Sequence, residues 1–206
     1  MSDETDPLLL LLRSFLGQAT AYFALVGLTF LAIWRLGERR FRGRRIQERK
    51  RVDGKQLRHE VKYTLVTLAI GTLNAVAITL LYQAGLTALS NDPTEWSWPT
   101  LALGFVGLIV LNDAWFYWWH RFRHTSDFLW RGFHQIHHSP QRLEVITSFY
   151  KHPLEMVVNS ILGSLIVYTL LGLTPAAGAV YTACCALGEF FYHTNVRTPR
   201  SHRITS

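Results

Sequence analysis

The fold is decided by residues 113–138, which read DAWFYWWHRFRHTSDFLWRGFHQIHH. Five of the nine histidines lie here, at positions 120, 124, 134, 137 and 138. Because residues three or four apart share one face of a helix, the first two histidines point one way and the last three another. Imidazole is a ligand suited to iron, zinc, copper and nickel. The spacing therefore indicates a metal site, and unrelated surface histidines are the alternative.

An aromatic run, Trp115 to Trp119, leads into the first of these histidines. Amphipathic rings gather at headgroup level in membrane proteins, which places His120 at the edge of a bilayer. Asp113 lies seven residues earlier, two helical turns deeper on the same face. We expect its carboxylate to orient a metal-bound imidazole. A polar contact between two membrane helices is the alternative.

Three apolar stretches predict a multi-pass membrane protein. Residues 14–34 and 63–91 carry no charged side chain, and residues 99–119 carry only Asp113. Each stretch is long enough to cross a hydrocarbon core, which takes roughly 20 residues. We expect the second span to open at Lys62. The predicted fold class is all-α, with about three spans, a helical hairpin and histidine-bearing helices at one membrane face.

The hairpin is predicted from a fourth uncharged stretch, residues 156–188, which is too long for one span. We expect two helices, Glu155–Leu171 and Pro175–His193, broken at Gly172-Leu173-Thr174-Pro175. This arrangement returns His193 to the side of the membrane that carries the other histidines.

Positive charge is concentrated in one loop. The net charge is +7, and residues 35–55 hold ten basic and three acidic side chains, so the rest of the chain is balanced. Such a loop after a first span is typical of the cytoplasmic side. We therefore expect an outside N-terminus, with every histidine cluster and the C-terminus cytoplasmic. The loop is expected to bind anionic lipid headgroups, and no motif suggests a nucleic-acid partner.

Further polar residues flank the histidines. Glu189 lies four residues before His193, on the same helical face. His152 precedes a proline, and a helix-entry role and a metal role are both open for it. We expect His59, in the basic loop, to be solvated.

Two other metal chemistries fit poorly. A zinc metalloprotease helix needs glutamate directly after the first histidine of its pair, and Arg121 stands there. A bis-histidine haem protein would use single facing histidines on spanning helices rather than clusters at one interface. A membrane protein that binds metal without catalysis stays open as an alternative.

The motifs together resemble the fatty acid hydroxylase/sterol desaturase superfamily. The resemblance runs from Asp113 and WWHR at 118–121 through HQIHHS at 134–139, then TSFYKHPLE at 147–155, and HTN at 193–195. It covers about residues 99–195. We therefore divide the chain into an N-terminal membrane region, residues 1–98, and a hydroxylase-like domain, residues 99–206.

The resemblance implies a membrane-embedded oxygenase that uses O2 and electrons from an external donor to hydroxylate or desaturate a lipid C–H bond. It implies two non-haem iron ions, for which zinc could substitute as a surrogate, and no catalytic residue apart from the metal site. The implied ligands are His120, His124, His134, His137, His138, His193 and His202. The residues expected to support them are Asp113, His152, Glu155, Glu189 and Asn195.

The chain departs from the family pattern near residue 202. The family's last histidine box reads His-x-x-His-His, and only His202-Arg203-Ile204 resembles its start. The expectation is a C-terminally incomplete domain that binds less than its full complement of metal and oxidises lipid weakly. An impaired or truncated family member that acts only as a metal-binding membrane protein is the alternative function.

Overall fold

The computed structural model describes residues 6–47, 52–88, 97–165 and 175–197. Secondary structure in these residues is helical, apart from one isolated antiparallel bridge between Arg45 and Val196. The α-helices are α1 (Pro7–Phe30), α2 (Glu38–Phe41), α3 (Gly54–Gln83), α4 (Trp98–Thr125), α5 (Asp127–Leu129), α6 (Gln135–His137), α7 (Pro153–Val158) and α8 (Pro175–Tyr192). Residues Leu31–Leu36, Trp130–His134 and Asn159–Leu165 form π-helices, and Arg42–Arg44 and Val145–Phe149 form 3-10 turns. The predicted all-α class is confirmed.

Among the described residues, three helices are long and apolar enough to cross a membrane: Pro7–Leu36, Gly54–Gln83 and Leu101–Thr125. Little of the first and third is buried against the rest of the protein, so their leucine and valine side chains form an apolar outer surface. A surface of this kind is stable against lipid tails rather than water. The first half of the predicted hairpin is seen as α7 and the following π-helix. The second half of the predicted hairpin is α8. The predicted break between the two halves, at 172–175, lies largely outside the described residues.

The second span begins earlier than predicted. The sequence suggested Lys62 as its start, but α3 begins at Gly54, because Asp53 caps it by accepting a 2.7 Å hydrogen bond from the Gln56 amide. The helix ends at Gln83, and Gly85 follows with a positive φ of 70°, a backbone conformation that glycine adopts without strain. The end of the basic loop is thus part of a helix.

One buried cluster joins the N-terminal helices to the rest of the chain. Tyr22 of α1, Leu68 of α3, Val145 of the 3-10 turn and Phe190 of α8 pack together. The hydroxyl of Tyr22 also donates a 3.0 Å hydrogen bond to the carbonyl of Ile146. This core lies directly behind the loop that follows the clustered histidines, so the first two spans help to hold that loop in place.

The aromatic run on α4 divides between two environments. Phe116, Tyr117 and Trp118 are exposed, as an interfacial belt requires, whereas Trp115 and Trp119 turn partly inwards and stack with ring centroids 5.7 Å apart. A Cβ added at Gly163 would lie 2.8 Å from Nε1 of Trp115. Glycine at 163 therefore allows the π-helix Asn159–Leu165 to pack closely on α4.

Candidate metal centre

Four histidines converge on one point. His120 and His124 end α4, His134 ends the following π-helix, and His138 lies one turn later. The Nε2 atoms are separated by 3.0 Å between His120 and His124, and by 3.2 Å both between His124 and His134 and between His134 and His138. One ligand atom from each of the four lies within 4.8 Å of all the others. The described chain thus gathers four imidazole nitrogens in one small volume.

The three shortest spacings fit ligands of a single metal ion, whereas the 4.8 Å across the group would have to shorten to about 4.2 Å or less when one ion binds all four. A metal–imidazole bond of about 2.1 Å puts two ligand nitrogens about 3.0 Å apart at a 90° angle and about 3.4 Å apart at a tetrahedral angle. The observed 3.0–3.2 Å separations fall within this range. The donors are all nitrogen, a set that suits iron, zinc, copper or nickel rather than magnesium or calcium.

The grouping differs from the one predicted by spacing alone. The sequence suggested that His134, His137 and His138 act together, but His134 and His138 join His120 and His124. Because His137 is offset by about 100° from its neighbour on a helix, it points elsewhere. The chain reverses between α4 and α5, where Ser126 caps the new helix by accepting from the Leu129 amide. This turn brings the two histidine segments together.

A buried ion pair lies behind the four histidines. Arg123 and Glu155 are each only 1% exposed, and Nη1 of Arg123 donates to Oε1 of Glu155. Oε2 of Glu155 lies 3.2 Å from Nδ1 of His134. Although burial raises the pKa of Glu155, the hydrogen bond from His134 and the charge of Arg123 hold it below its ordinary value. The carboxylate therefore accepts a hydrogen bond from the Nδ1–H group of His134, and the Nε2 lone pair of that ring faces the other histidines.

Arg123 has the opposite effect on His120. Its Nη2 lies 3.3 Å from Nδ1 of His120. Since arginine can only donate, this contact makes Nδ1 an acceptor and places the ring proton on Nε2. His120 thus has to give up the contact before its Nε2 binds a metal. Sequence reasoning missed Arg123, although an arginine enclosed between two site histidines in HRFRH was a usable signal.

His137 and His193 form a second group beside the first. Nδ1 of His137 donates a 2.8 Å hydrogen bond to the Tyr150 carbonyl, and Nδ1 of His193 donates a 2.7 Å bond to the Glu189 carbonyl. Both hydrogen bonds leave Nε2 as the free ligand atom, the arrangement usual for metal-binding imidazoles. The ring centroids of His137 and His193 are 6.1 Å apart, and those of His137 and His134 are 6.0 Å apart. The sequence-predicted ligand His202 lies outside the described residues.

Desolvation keeps His137 and His138 neutral. Desolvation, reinforced by the charge of Lys151, lowers the pKa of His137 from its usual 6.5 to about 3. Desolvation and then the neighbouring His134 lower the pKa of His138 to about 4. Both imidazoles therefore carry an available lone pair at neutral pH, as a ligand must.

These shifts predict acid sensitivity of the metal-free protein. Because the folded state resists protonation of His137 and His138, the unfolded chain binds more protons below its pKa of about 6.5. The free energy of unfolding should fall as the pH drops from 6.5 towards 4. Thermal unfolding of chelator-treated protein at pH 8, 6 and 5 measures this. Replacing both residues with glutamine should weaken the dependence, and a stability that rises on acidification would contradict the prediction.

The remaining predicted residues have other positions. Asp113 is exposed on α4, and no contact between its carboxylate and His120 occurs in the described part of the chain. His152 caps α7 by accepting from the Leu154 amide at 3.2 Å, which is the helix-entry role. The Glu189 side chain lies 3.9 Å from His193.

Asn195 is buried and belongs to a junction rather than to the histidine cluster. It adopts a positive φ of 58°, and its Oδ1 accepts a 2.8 Å hydrogen bond from the Gln47 amide. Gln47 itself reaches the histidine loop, since its Nε2 donates to the Gln141 carbonyl and its Oε1 accepts from the Leu143 amide. The sequence offered no signal for Gln47.

His59 was expected to be solvated and alone. It is exposed, but its Nδ1 pairs with the Tyr150 hydroxyl at 3.0 Å. Tyr150 is the residue whose carbonyl accepts from His137. His59 is therefore connected, through Tyr150, to a residue of the second group.

The C-terminal part of the chain is similar to a known protein family. Residues 105–206 match the model of the fatty acid hydroxylase family. The chain is 27% identical over 124 residues to sphinganine C4-monooxygenase 1 of Arabidopsis thaliana, covering 60% of this chain and 48% of that protein. It is 32% identical over 124 residues to alkylglycerol monooxygenase of Danio rerio, covering 54% of this chain and 25% of that protein. It is 29% identical over 200 residues to ornithine lipid hydroxylase OlsE of Rhizobium tropici, covering 88% of this chain and 58% of that protein.

The chain thus spans about half the length or less of the first two relatives and under two thirds of the third. No solved structure matches it.

Proposed function

The chain belongs to the fatty acid hydroxylase/sterol desaturase superfamily, and from this membership we propose that it is a membrane-bound di-iron oxygenase acting on a lipid. The observation that carries the proposal is the convergence of four histidine Nε2 atoms next to a second histidine pair. The three relatives named above are monooxygenases or hydroxylases by name. Zinc has no redox chemistry, so iron is the proposed metal and zinc a surrogate.

Two bound non-haem iron ions would supply the redox chemistry in which O2, two electrons and two protons convert a lipid C–H bond into C–OH and water. The protein's own residues hold and orient the metal ligands. His120, His124, His134 and His138 are proposed to hold one ion, and His137 and His193 contribute to the second, with His202 proposed as a further ligand. An external electron donor is proposed to supply the electrons.

Hydrogen bonds from Nδ1 of three histidines leave Nε2 of each ring free to bind metal. Glu155 does this for His134, the Tyr150 carbonyl for His137 and the Glu189 carbonyl for His193. Such outer partners raise the basicity of the ligand and prevent the ring from rotating. The ligands are thereby prepared before metal arrives, which lowers the cost of binding.

The substrate is proposed to enter from the bilayer. The chain has three candidate spans among its described residues, and one of them carries His120 and His124. Each relative named above acts on a sphingoid, glycerol-ether or ornithine lipid according to its name. The histidines are proposed to face the cytoplasm, because the basic loop that follows the first span contacts their segment through Gln47 and Gln141. That loop is also proposed to attract anionic headgroups.

A combined metal and product measurement tests this function. The full chain is purified in detergent after growth with iron, and metal is quantified per protein. It is then incubated with a reductant, lipid extract and isotopically labelled O2, and mass spectrometry should find one labelled oxygen atom in a lipid product. Bound iron without any oxygenated lipid would instead indicate a metal-binding protein without catalysis, and a product that forms equally after iron removal would contradict the proposal.

A further inference from the structure

His59 lies outside residues 105–206, the segment that matches the family model, yet it contacts a residue inside that segment. Its Nδ1 and the hydroxyl of Tyr150 share a hydrogen bond of 3.0 Å. His59 is exposed, whereas Tyr150 is only 2% exposed. The bond therefore joins the surface of the first turns of α3 to a buried side chain next to the histidine groups.

The packing of three rings supports this hydrogen bond. Tyr63 lies one turn after His59 on α3, and its ring centroid is 4.9 Å from that of His59 and 5.3 Å from that of Tyr150. The centroids of His59 and Tyr150 are 5.6 Å apart. Both contacts of Tyr63 are edge-to-face, an arrangement that is attractive between aromatic rings. The exposed imidazole is thus held against the phenol by packing as well as by the hydrogen bond.

Tyr150 is held at three points. Its amide donates a 3.1 Å hydrogen bond to the Thr147 carbonyl, at the end of the 3-10 turn. Its carbonyl accepts a 2.8 Å hydrogen bond from Nδ1 of His137, and its phenol is bonded to His59. Tyr150 follows the turn and belongs to no helix, so a helical backbone does not fix the direction of its carbonyl. The bond at the phenol therefore helps to hold the whole residue in place.

The orientation of the His137 ring depends on this carbonyl. Helix α6 contains only Gln135–His137, which is less than one helical turn, so its backbone does little to hold the ring. The hydrogen bond from Nδ1 to the carbonyl leaves Nε2 as the ligand atom. If Tyr150 moves, the ring of His137 loses the contact that sets both its rotation and the position of its proton.

We propose that His59 is a positioning residue for the second histidine pair, His137 and His193. Its hydrogen bond to the phenol of Tyr150 holds the carbonyl that orients the His137 ring. This role rests on the proposed function, in which His137 contributes to the second metal ion. It extends the residues that prepare the metal centre to the first turns of α3, outside the segment that matches the family model.

Two measurements on the full chain in detergent test this role. Nitrogen NMR of the metal-free protein with labelled histidine follows the exchange of the Nδ1 proton of His137 with water, and competition with a chelator follows the binding of zinc. His59→Phe keeps a ring beside Tyr63 and removes the hydrogen bond to Tyr150. It should speed the exchange of the His137 proton. It should also weaken the second zinc ion by roughly tenfold, the lower end of the cost of losing an outer partner of a ligand, because the carbonyl itself remains. The affinity for the first ion should stay unchanged.

A rescue variant and a matched control separate positioning from stability. His59→Asn can bond the phenol from nearly the same place as Nδ1 of histidine, so both quantities should return to those of the original protein. Tyr22→Phe removes another buried tyrosine hydroxyl, whose 3.0 Å bond goes to the Ile146 carbonyl in the neighbouring 3-10 turn. It should lower the free energy of unfolding and change neither the proton exchange nor the second zinc ion.

The remaining outcomes each decide a separate point. If His59→Phe changes neither quantity, or if Tyr22→Phe changes both as strongly, His59 has no positioning role. If the proton exchange responds and asparagine restores it, but the original protein binds no second ion, His59 orients His137 and the proposed di-iron function is wrong. If His59→Phe does not fold, Tyr150→Phe removes the same hydrogen bond, keeps the carbonyl and should give the same two changes.

Discussion

Replacing Glu155 with glutamine is expected to destabilise the protein by about 3–5 kcal/mol, the cost of leaving one partner of a buried ion pair uncompensated. Arg123 and Glu155 are both fully enclosed, so the guanidinium that remains has no access to water. His134 loses its carboxylate partner at the same time. Denaturant unfolding in detergent measures the loss of stability, and metal analysis should show a fall in bound metal.

Glu189→Gln is the matched control. Its carboxylate also lies near a site histidine, but it is partly exposed, and the contact that fixes His193 uses the backbone carbonyl, which the substitution keeps. We expect a change in stability below about 1 kcal/mol. If the two glutamine variants are equally stable, Glu155 does not have the buried pairing role described above.

A second variant separates stability from metal binding. Arg123→Met/Glu155→Leu replaces the ion pair by apolar side chains, which is often neutral or stabilising for a buried pair. Stability should return towards that of the original protein, while metal content stays low because His134 still lacks its acceptor. Recovery of both quantities together would show that Glu155 affects the metal only through folding.

Replacing His134 with alanine is expected to have the largest effect on metal binding. Its Nε2 lies within 3.2 Å of both His124 and His138, and the ring is fully buried. Loss of an outer partner alone weakens metal affinity roughly 10- to 100-fold, and loss of the ligand itself should exceed that. Metal affinity, measured by competition with a chelator, is the readout.

His120→Ala should weaken the metal less, because His120 has to give up its contact with Arg123 before Nε2 can bind a metal. The control is His152→Asn, which keeps a side chain able to cap α7 and should leave metal content unchanged. A loss at His152 equal to that at His134 would contradict the proposed ligand set.

The sequence was most informative where structure depends on nearby residues. The apolar stretches predicted the three candidate spans, although the second begins at Gly54 rather than at Lys62, because length and composition decide whether a segment suits a bilayer. The histidine spacing pointed to a metal centre for the same reason, since residues four apart on a helix always share a face. Glu155, suggested by its motif, is in contact with His134.

Contacts between distant segments were not predictable in this way. Arg123 and Glu155 are 32 residues apart, and nothing in either local pattern says that they meet. The division of the histidines into groups of four and two also depends on the reversal of the chain between α4 and α5. This reversal cannot be predicted from the spacing of residues within one helix. Asp113, placed by helical periodicity on the side of His120, is exposed instead.

The junction at Asn195 has a consequence for how the chain folds. Asn195 bonds to Gln47 across 148 residues of chain, so this contact forms only after both segments have been synthesised. Contacts so distant in sequence carry a large loop-closure cost and form late. The same junction adjoins His193, and the second histidine pair therefore becomes complete only after the spans are in the membrane. If this pair holds metal as proposed, we expect it to bind the ion only after the two segments have met.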